Sequence, residues 1–197
     1  LDLALFDFDG TITQRELFVE FVASVMPPSR MRAGRLRVLP TWLGYKLGLV
    51  SGSTIRAQVA RLGFRDLPQA QLEEAGRRFA EQVIPTALRP EAMARIAWHR
   101  ERGDTVAVVS GAFDVYLRHW CQAQGLDWLC SSLEARDGVL TGRYHGAQCV
   151  GAEKPRRVRE RYQLSRYAQI HAYGDTREDR ELLALAHHRW YRWQPLA

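Results

Sequence analysis

Two aspartates interrupt the first apolar run of the chain, and no other feature constrains its fold as much. Residues 3–8 read LALFDF and are followed at once by Asp9, Gly10 and Thr11, the pattern of a short buried strand that ends in a turn. A carboxylate in such a run costs free energy unless a cation or a hydrogen-bond donor meets it. The period of two along a strand puts Asp7 and Asp9 on one side of the chain and Phe8 on the other, so the two acids can share a site.

The stretch that follows is helical in pattern. Residues 15–26 carry Leu17, Phe18, Phe21, Val22 and Val25 at helical spacing, and Pro27-Pro28 closes that helix. Residues 29–90 continue mostly as helix, with breaks predicted at Pro40, Gly52, Pro68 and Pro85 and an amphipathic pattern over 68–82. A further helix is predicted over 90–102. The pattern then turns to strand over 105–110, helix over 113–124, and a hairpin within 133–144 around Asp137-Gly138. A helix over 153–162, a strand over 169–173 and a helix over 178–187 follow, the last ending in a solvated His187-His188 rather than a metal pair. Residues 190–193 read as a final edge strand, with Trp190, Tyr191 and Trp193 packing on the core.

Strands alternating with helices from residue 102 onward predict parallel β-α units. The expected fold is α/β, a Rossmann-like three-layer core with a parallel sheet and an inserted helical cap. Residues 1–13 and 90–197 would form the core and residues 14–89 the cap.

In open α/β sheets the working residues gather beyond the carboxyl ends of the strands. Three predicted strands end in polar residues of complementary kinds: Asp7 to Thr11, then Ser110-Gly111, then Gly174-Asp175 with Asp179 on the next helix. Lys154 opens the helix before the third strand. Gathered carboxylates repel one another unless a cation sits among them, and hard oxygen ligands suit Mg²⁺. A lysine and the N–H groups of an Asp-Gly turn suit a dianionic phosphate. A metal-screened aspartate can attack phosphorus while a second carboxylic acid protonates the leaving oxygen and later deprotonates water. Lys154 as a merely solvated residue is the weaker reading, since a cation in a first helical turn opposes the macrodipole.

FDFDGT at residues 6–11, VVSGAFD at 108–114, GAEKP at 151–155 and YGDTREDRELL at 173–183 resemble, in order, the four motifs of the haloacid dehalogenase superfamily of phosphatases. The resemblance covers the whole chain, and the helical stretch between the first two motifs resembles the cap of the subfamily that contains phosphoserine phosphatase. It implies Asp7 as the nucleophile and Asp9 as the general acid/base, whose backbone carbonyl also reaches the metal. Thr11 is implied to order the loop, Ser110 and the Gly111 backbone to contact phosphate, and Lys154 to stabilise the phosphoryl group. Asp175 is implied as the Mg²⁺ ligand with Asp179 supporting it, so that the metal set is Asp7, Asp9, Asp175 and Asp179.

In the cap, Glu16 matches an acid for a substrate amino group and Arg56 an arginine for a substrate carboxylate. Glu16 also suits an early helix turn by its charge alone, and Arg56 is one of many arginines. One departure stands out: Glu178 precedes the last aspartate where some phosphoserine phosphatases place asparagine.

Composition narrows the partners. At 46% hydrophobic and 25% charged, the 197 residues suit a globular protein with a real core and exclude a disordered one. The net charge is +6, yet of 28 basic residues only Lys46 and Lys154 are lysines, and the 26 arginines are scattered. No long basic run or stacking-aromatic motif accompanies them, so nucleic acid is not an expected partner. Three cysteines, Cys121, Cys130 and Cys149, form no C-x-x-C pair, so neither a disulfide framework nor a thiolate zinc site is expected and a cytoplasmic setting fits.

The expected function is a Mg²⁺-dependent phosphomonoester hydrolase that works through a phospho-aspartate on a small phosphorylated metabolite, phosphoserine-like if Glu16 and Arg56 serve as in that family. A phosphotransferase using the same intermediate is an alternative. A non-catalytic anion-binding module would not need both Asp7 and Asp9. A lipid phosphate is the other alternative, because residues 149–154 and His188-Arg189-Trp190 also resemble phosphatidylglycerophosphate phosphatases. Arg30, Arg32, Arg35 and Arg37 precede the apolar residues 39–50, which can dock a cap helix on an anionic membrane or read as an ordinary half-buried helix. That apolar stretch falls short of the roughly 20 residues that span a bilayer.

Overall fold

β1 (Leu3–Phe6) is the hub around which the other elements are placed. The chain continues through α1 (Phe18–Val25), α2 (Pro28–Lys46), α3 (Gly52–Phe64), α4 (Gln69–Gln82), α5 (Ile84–Ala87) and α6 (Pro90–Glu101). It then forms β2 (Thr105–Phe113), α7 (Asp114–Gln124), β3 (Asp127–Ser131) and a hairpin of β4 (Leu133–Arg136) and β5 (Val139–Tyr144). The last elements are α8 (Glu153–Arg161), β6 (Ile170–Gly174), α9 (Arg180–Leu183), β7 (His188–Tyr191) and β8 (Gln194–Leu196). This is a computed structural model and describes residues 1–196, the side chain of Arg35 excepted; that member of the basic cluster ahead of residue 39 therefore lies outside the described residues.

The main sheet runs β3-β2-β1-β6-β7-β8, parallel throughout except for β8, which turns back on β7. Helices flank it as a Rossmann-like α/β fold requires. Alternation along β1 assigns its faces. Leu3 and Leu5 join Ala107, Val109, Ile170 and Ala172 under Val158 of α8 and Leu182 and Leu183 of α9. Ala4 and Phe6 join Val106, Val108 and Tyr173 on the opposite face, with Ile96 of α6 and Tyr116 of α7. Asp7 continues the odd-numbered series and so belongs to the side that carries α8.

The inserted helices share the second core. Phe21, Phe64 and Phe79, from α1, α3 and α4, pack with Phe113 and Tyr116 of β2 and α7. A Cβ on Gly76 of α4 would collide with the Val115 carbonyl, so α4 lies directly on α7, and Glu73 pairs with Arg118 across the same contact. The chain leaves and re-enters the sheet region side by side, with Gln14 N–H donating to Ala87 O and Arg89 N–H to Ile12 O, each at 2.8 Å.

Several expectations are corrected. Pro40 does not break a helix but sits inside α2; the carbonyl it frees belongs to Leu36, a residue that is 76% exposed. β2 runs past Ser110 to Phe113, and its ladder with β3 shifts register between those two residues. β3 itself has no β-branched residue, and only Gly125, which ends α7, announces it. The helix predicted over 178–187 shrinks to a short turn at Arg177–Asp179 and α9, because His187 is drawn into the sheet. The Ile170 N–H donates to His187 Nδ1 at 3.0 Å and the His187 N–H to Ile170 O at 2.9 Å, so His187-His188 leads into β7 instead of ending a helix in solvent. Residues 190–193 are not one strand, since Arg192 and Trp193 at φ 52° and 62° make the two-residue turn between β7 and β8.

All three cysteines are buried free thiols. No helix among the described residues is long and apolar enough to cross a membrane.

Candidate active site

β1 ends at Phe6, one residue before the first aspartate, and the Asp7 N–H still donates to Tyr173 O of β6 at 2.9 Å. The chain then turns. Asp9 at φ −69°, ψ 121° and Gly10 at φ 81°, ψ −19° have the dihedrals of a type II turn, which needs a residue tolerant of positive φ at its third position. Glycine is required here twice over, because a Cβ on Gly10 would also run into the Asp175 carboxylate. The turn is fixed from outside by Arg89 Nη2 on Gly10 O at 3.3 Å and Trp193 Nε1 on Thr11 O at 3.2 Å. Strand alternation therefore places Asp7 but does not extend to Asp9, which the turn brings to the same cavity.

That cavity measures about 50 Å³ and is lined by Asp7, Asp9, Glu16, Arg56, Ser110, Gly111 and Lys154, together with Phe18, Ala112, Thr176 and Glu178. All the expected phosphate and cap residues thus meet in one place. Asp175 and Asp179 stand beside it, and one carboxylate oxygen from each of Asp7, Asp175 and Asp179 lies within 4.8 Å of the others.

Lys154, in the first turn of α8, is 2% exposed and donates from Nζ to Asp7 Oδ1 and Asp179 Oδ1, both at 2.6 Å. Burial alone would lower the lysine, but the two acids hold its ammonium above the ordinary value. Asp179 is fully used. Its Oδ2 accepts from the N–H groups of Asp175 and Thr176 and from Thr176 Oγ1, at 3.1, 2.9 and 3.0 Å. Against its burial, Lys154 and those N–H groups keep its carboxyl below the ordinary carboxylate range. Asp175 is oriented by Thr11, whose Oγ1 donates to Asp175 Oδ1 at 3.0 Å.

Asp9 lives in a different environment. Its Oδ1 accepts from the Leu17 N–H at 2.9 Å, which caps the start of α1, and it makes no hydrogen bond to Lys154 among the described residues. Burial, and next the Glu16 carboxylate, raise it to about 7 against that single N–H. Ser110 is buried and its Oγ accepts from the Ala112 N–H at 3.2 Å, at the register shift that takes Gly111 out of the ladder with β3.

The donor set fits a hard divalent cation. Burial, and then Asp179, push Asp7 well above the ordinary carboxylate range despite Lys154, and burial raises Asp175 too. One ammonium does not neutralise three closely spaced carboxylates, and an oxygen-only set of this kind suits Mg²⁺ over softer metals. The Asp9 side chain stands outside this three-acid group.

Residues 4–184 match the haloacid dehalogenase-like hydrolase family. The chain belongs to that family. Protein CicA of Caulobacter vibrioides is 33% identical over 196 residues, covering 96% of this chain and 85% of CicA. A phosphoserine phosphatase of Methanocaldococcus jannaschii is 29% identical over 145 residues, covering 73% of this chain and 62% of that protein. Among solved structures, a Bordetella pertussis protein of unknown function superposes with a TM-score of 0.79 at 22% identity, covering 96% of this chain and 89% of that one; the likeness is one of fold. This haloacid dehalogenase-like hydrolase is an enzyme of the phosphatase class, in a family that generally uses Mg²⁺.

Three residues in the hydrolase's site carry little sequence signal. Thr176 accepts from the Glu178 N–H through its hydroxyl and so shapes the turn that presents Asp179. Glu178 accepts from Arg56 Nη2 on both oxygens, at 2.7 and 2.8 Å. Gln148 accepts from Arg56 Nε at 3.2 Å and donates to Ser53 O at 2.7 Å. Glu178 was visible in the sequence only as a departure from a motif, and Gln148 sits in a loop with no motif at all.

Proposed function

We propose that this phosphatase hydrolyses a small phosphomonoester through a covalent phospho-aspartate on Asp7. One observation carries the reading: two aspartates two residues apart line one cavity and differ in what they bond. Burial raises both, but Asp7 accepts from the Lys154 ammonium, which favours its charged, nucleophilic form, whereas Asp9, raised to about 7, accepts from the Leu17 N–H alone among the described residues.

The Asp7 carboxylate oxygen attacks phosphorus as the ester P–O bond breaks, and Asp9, protonated, gives its proton to the departing alkoxide. Asp9, now a carboxylate, takes a proton from water as that water attacks phosphorus, the phosphorus to Asp7 bond breaks, and inorganic phosphate leaves. Lys154 holds Asp7 in place and faces the charge that builds on the phosphoryl oxygens, with Ser110 and the Gly111 backbone as the other phosphate contacts. Asp7, Asp175 and the Asp9 carbonyl, with Asp179 in support, would hold Mg²⁺, which would supply the positive charge that lets an anionic nucleophile approach an anionic ester. Residues 1–13 and 90–197 as core and 14–89 as cap belong to the same proposal, supported by the paired crossings at Gln14 and Arg89.

The test is turnover of phenyl phosphate with Mg²⁺. Activity in the parent and its loss by at least about a thousandfold in a folded Asp7→Asn variant are expected; a fully active Asp7→Asn enzyme would overturn the assignment. Product that forms only with an added alcohol acceptor would convert the hydrolase reading to a phosphotransferase.

A lipid phosphate is the second reading, favoured by the exposed Leu36, Leu39, Trp42, Leu43, Leu47 and Leu49 on and just beyond α2, beside Arg30, Arg32 and Arg37. Failure to sediment with anionic vesicles would remove it.

A further inference from the structure

The cap-side charges of the cavity do not suit a substrate carboxylate. Arg56, the arginine that a phosphoserine-like substrate would need, is committed elsewhere: Nη2 to both oxygens of Glu178, and Nε to Gln148 Oε1. The Arg56 and Glu178 side chains are 22% and 37% exposed, so the pair is partly withdrawn from water. It is seated under the first turn of α3, where a Cβ on Gly52 would stand 3.1 Å from Glu178 Oε1. Lys154 is likewise shared between Asp7 and Asp179. The other cap-side acid is Glu16, which lines the cavity without a hydrogen bond among the described residues; the Arg56 charge is felt there, but so are those of Asp175, Glu178 and Asp179.

We propose that Glu178 is the specificity-determining residue of this site: by occupying Arg56 it excludes esters whose alcohol carries a carboxylate and, with Glu16, selects phosphomonoesters of amino alcohols. The inference rests on the phosphatase reading above. A carboxylate placed near Arg56 would have to displace Glu178 or lie beside both Glu16 and Glu178, and like charges in a half-buried site repel. An ammonium at the same place meets Glu16, where the carboxylates outnumber the one arginine.

Two esters that differ only by a carboxylate separate the cases: 2-aminoethyl phosphate and O-phosphoserine. The parent enzyme is expected to show the higher kcat/KM on 2-aminoethyl phosphate. Glu178→Gln keeps the shape of the pair and removes its charge, so the ratio of O-phosphoserine to 2-aminoethyl phosphate should rise about ten- to a hundredfold, the worth of one released charge-assisted contact. That rise should disappear when Arg56→Ala is added, because the gain runs through Arg56. Binding of both esters to the Asp7→Asn variant, measured by calorimetry, reads the same ratio without turnover. Parent preference for O-phosphoserine, a ratio unmoved by Glu178→Gln, or an equal rise without Arg56 overturns the inference. If the binding ratio shifts as expected but the parent turns over neither ester nor phenyl phosphate, the selectivity stands and the hydrolase reading falls.

Discussion

Replacing Lys154 by methionine, which matches its stem as far as Cε and lacks the ammonium, should expose how much of the fold depends on one charge. The lysine bridges Asp7 and Asp179 at 2.6 Å each and is 2% exposed, so the variant leaves two buried carboxylates facing each other without their cation. Removing one partner of a buried pair costs about 3–5 kcal/mol. At about 2–4 °C per kcal/mol for a chain of this size, the melting temperature in EDTA at pH 7 should drop by about 6–20 °C.

The pH dependence has a definite sign. Without the ammonium Asp7, already raised by burial, rises further and Asp179 loses the cation that holds it down, so the folded variant binds protons that the unfolded chain does not. The penalty is therefore largest at neutral pH and shrinks as pH falls toward 4. Thermal unfolding followed by circular dichroism at pH 7 and pH 4.5 measures both quantities. A variant within about 2 °C of the parent at pH 7, or a gap that widens on acidification, would refute the reasoning.

Gly10→Ala places a side chain at φ 81° against the Asp175 carboxylate. Backbone strain of about 1–3 kcal/mol and a displaced Asp175 should cut phosphatase turnover at least about tenfold and raise the Mg²⁺ concentration for half-maximal rate; an unchanged Mg²⁺ titration speaks against the placement of that carboxylate. His99 is buried, with Nδ1 2.9 Å from Asp104 Oδ2 and Nε2 3.0 Å from the Tyr173 hydroxyl, and burial lowers its pKa. The unfolded chain then binds its proton first, near pH 6.5, so stability should fall as pH drops below that value. Urea midpoints from pH 7.5 to 5.5 should decline less steeply for His99→Gln than for the parent, and parallel declines would dismiss His99 as a source of the slope.

What the sequence disclosed follows from range. The α/β core, its parallel sheet and the residues at three strand ends were readable because each depends on local spacing: apolar runs, Asp-Gly turns and a lysine at a helix start. Pro40 misled because an interior proline is tolerated where the carbonyl it frees, here that of Leu36, belongs to an exposed residue. β3 and the shortened α9 escaped because strand pairing, not local preference, decides them; His187 is claimed by Ile170 across the sheet. In the site, Lys154 was legible as a charge at a helix start, but its two acids could be identified as partners only once the helix was placed on the sheet. Glu178 shows the limit most sharply. Its identity was plain in the chain, while its bond to Arg56 joins residues 122 positions apart in sequence.

The central position of β1 also sets the order in which the protein can be made. Translation produces this strand before either of its neighbours, and β6, which covers its second edge, comes after nearly all the other elements. Until then an apolar ribbon with unpaired amides is free to join a neighbour of the same kind. Ribosomes that stop short of Ile170 are therefore expected to yield inclusion bodies in place of a weakened catalyst, and shielding of the nascent β1 segment should raise the yield of the enzyme.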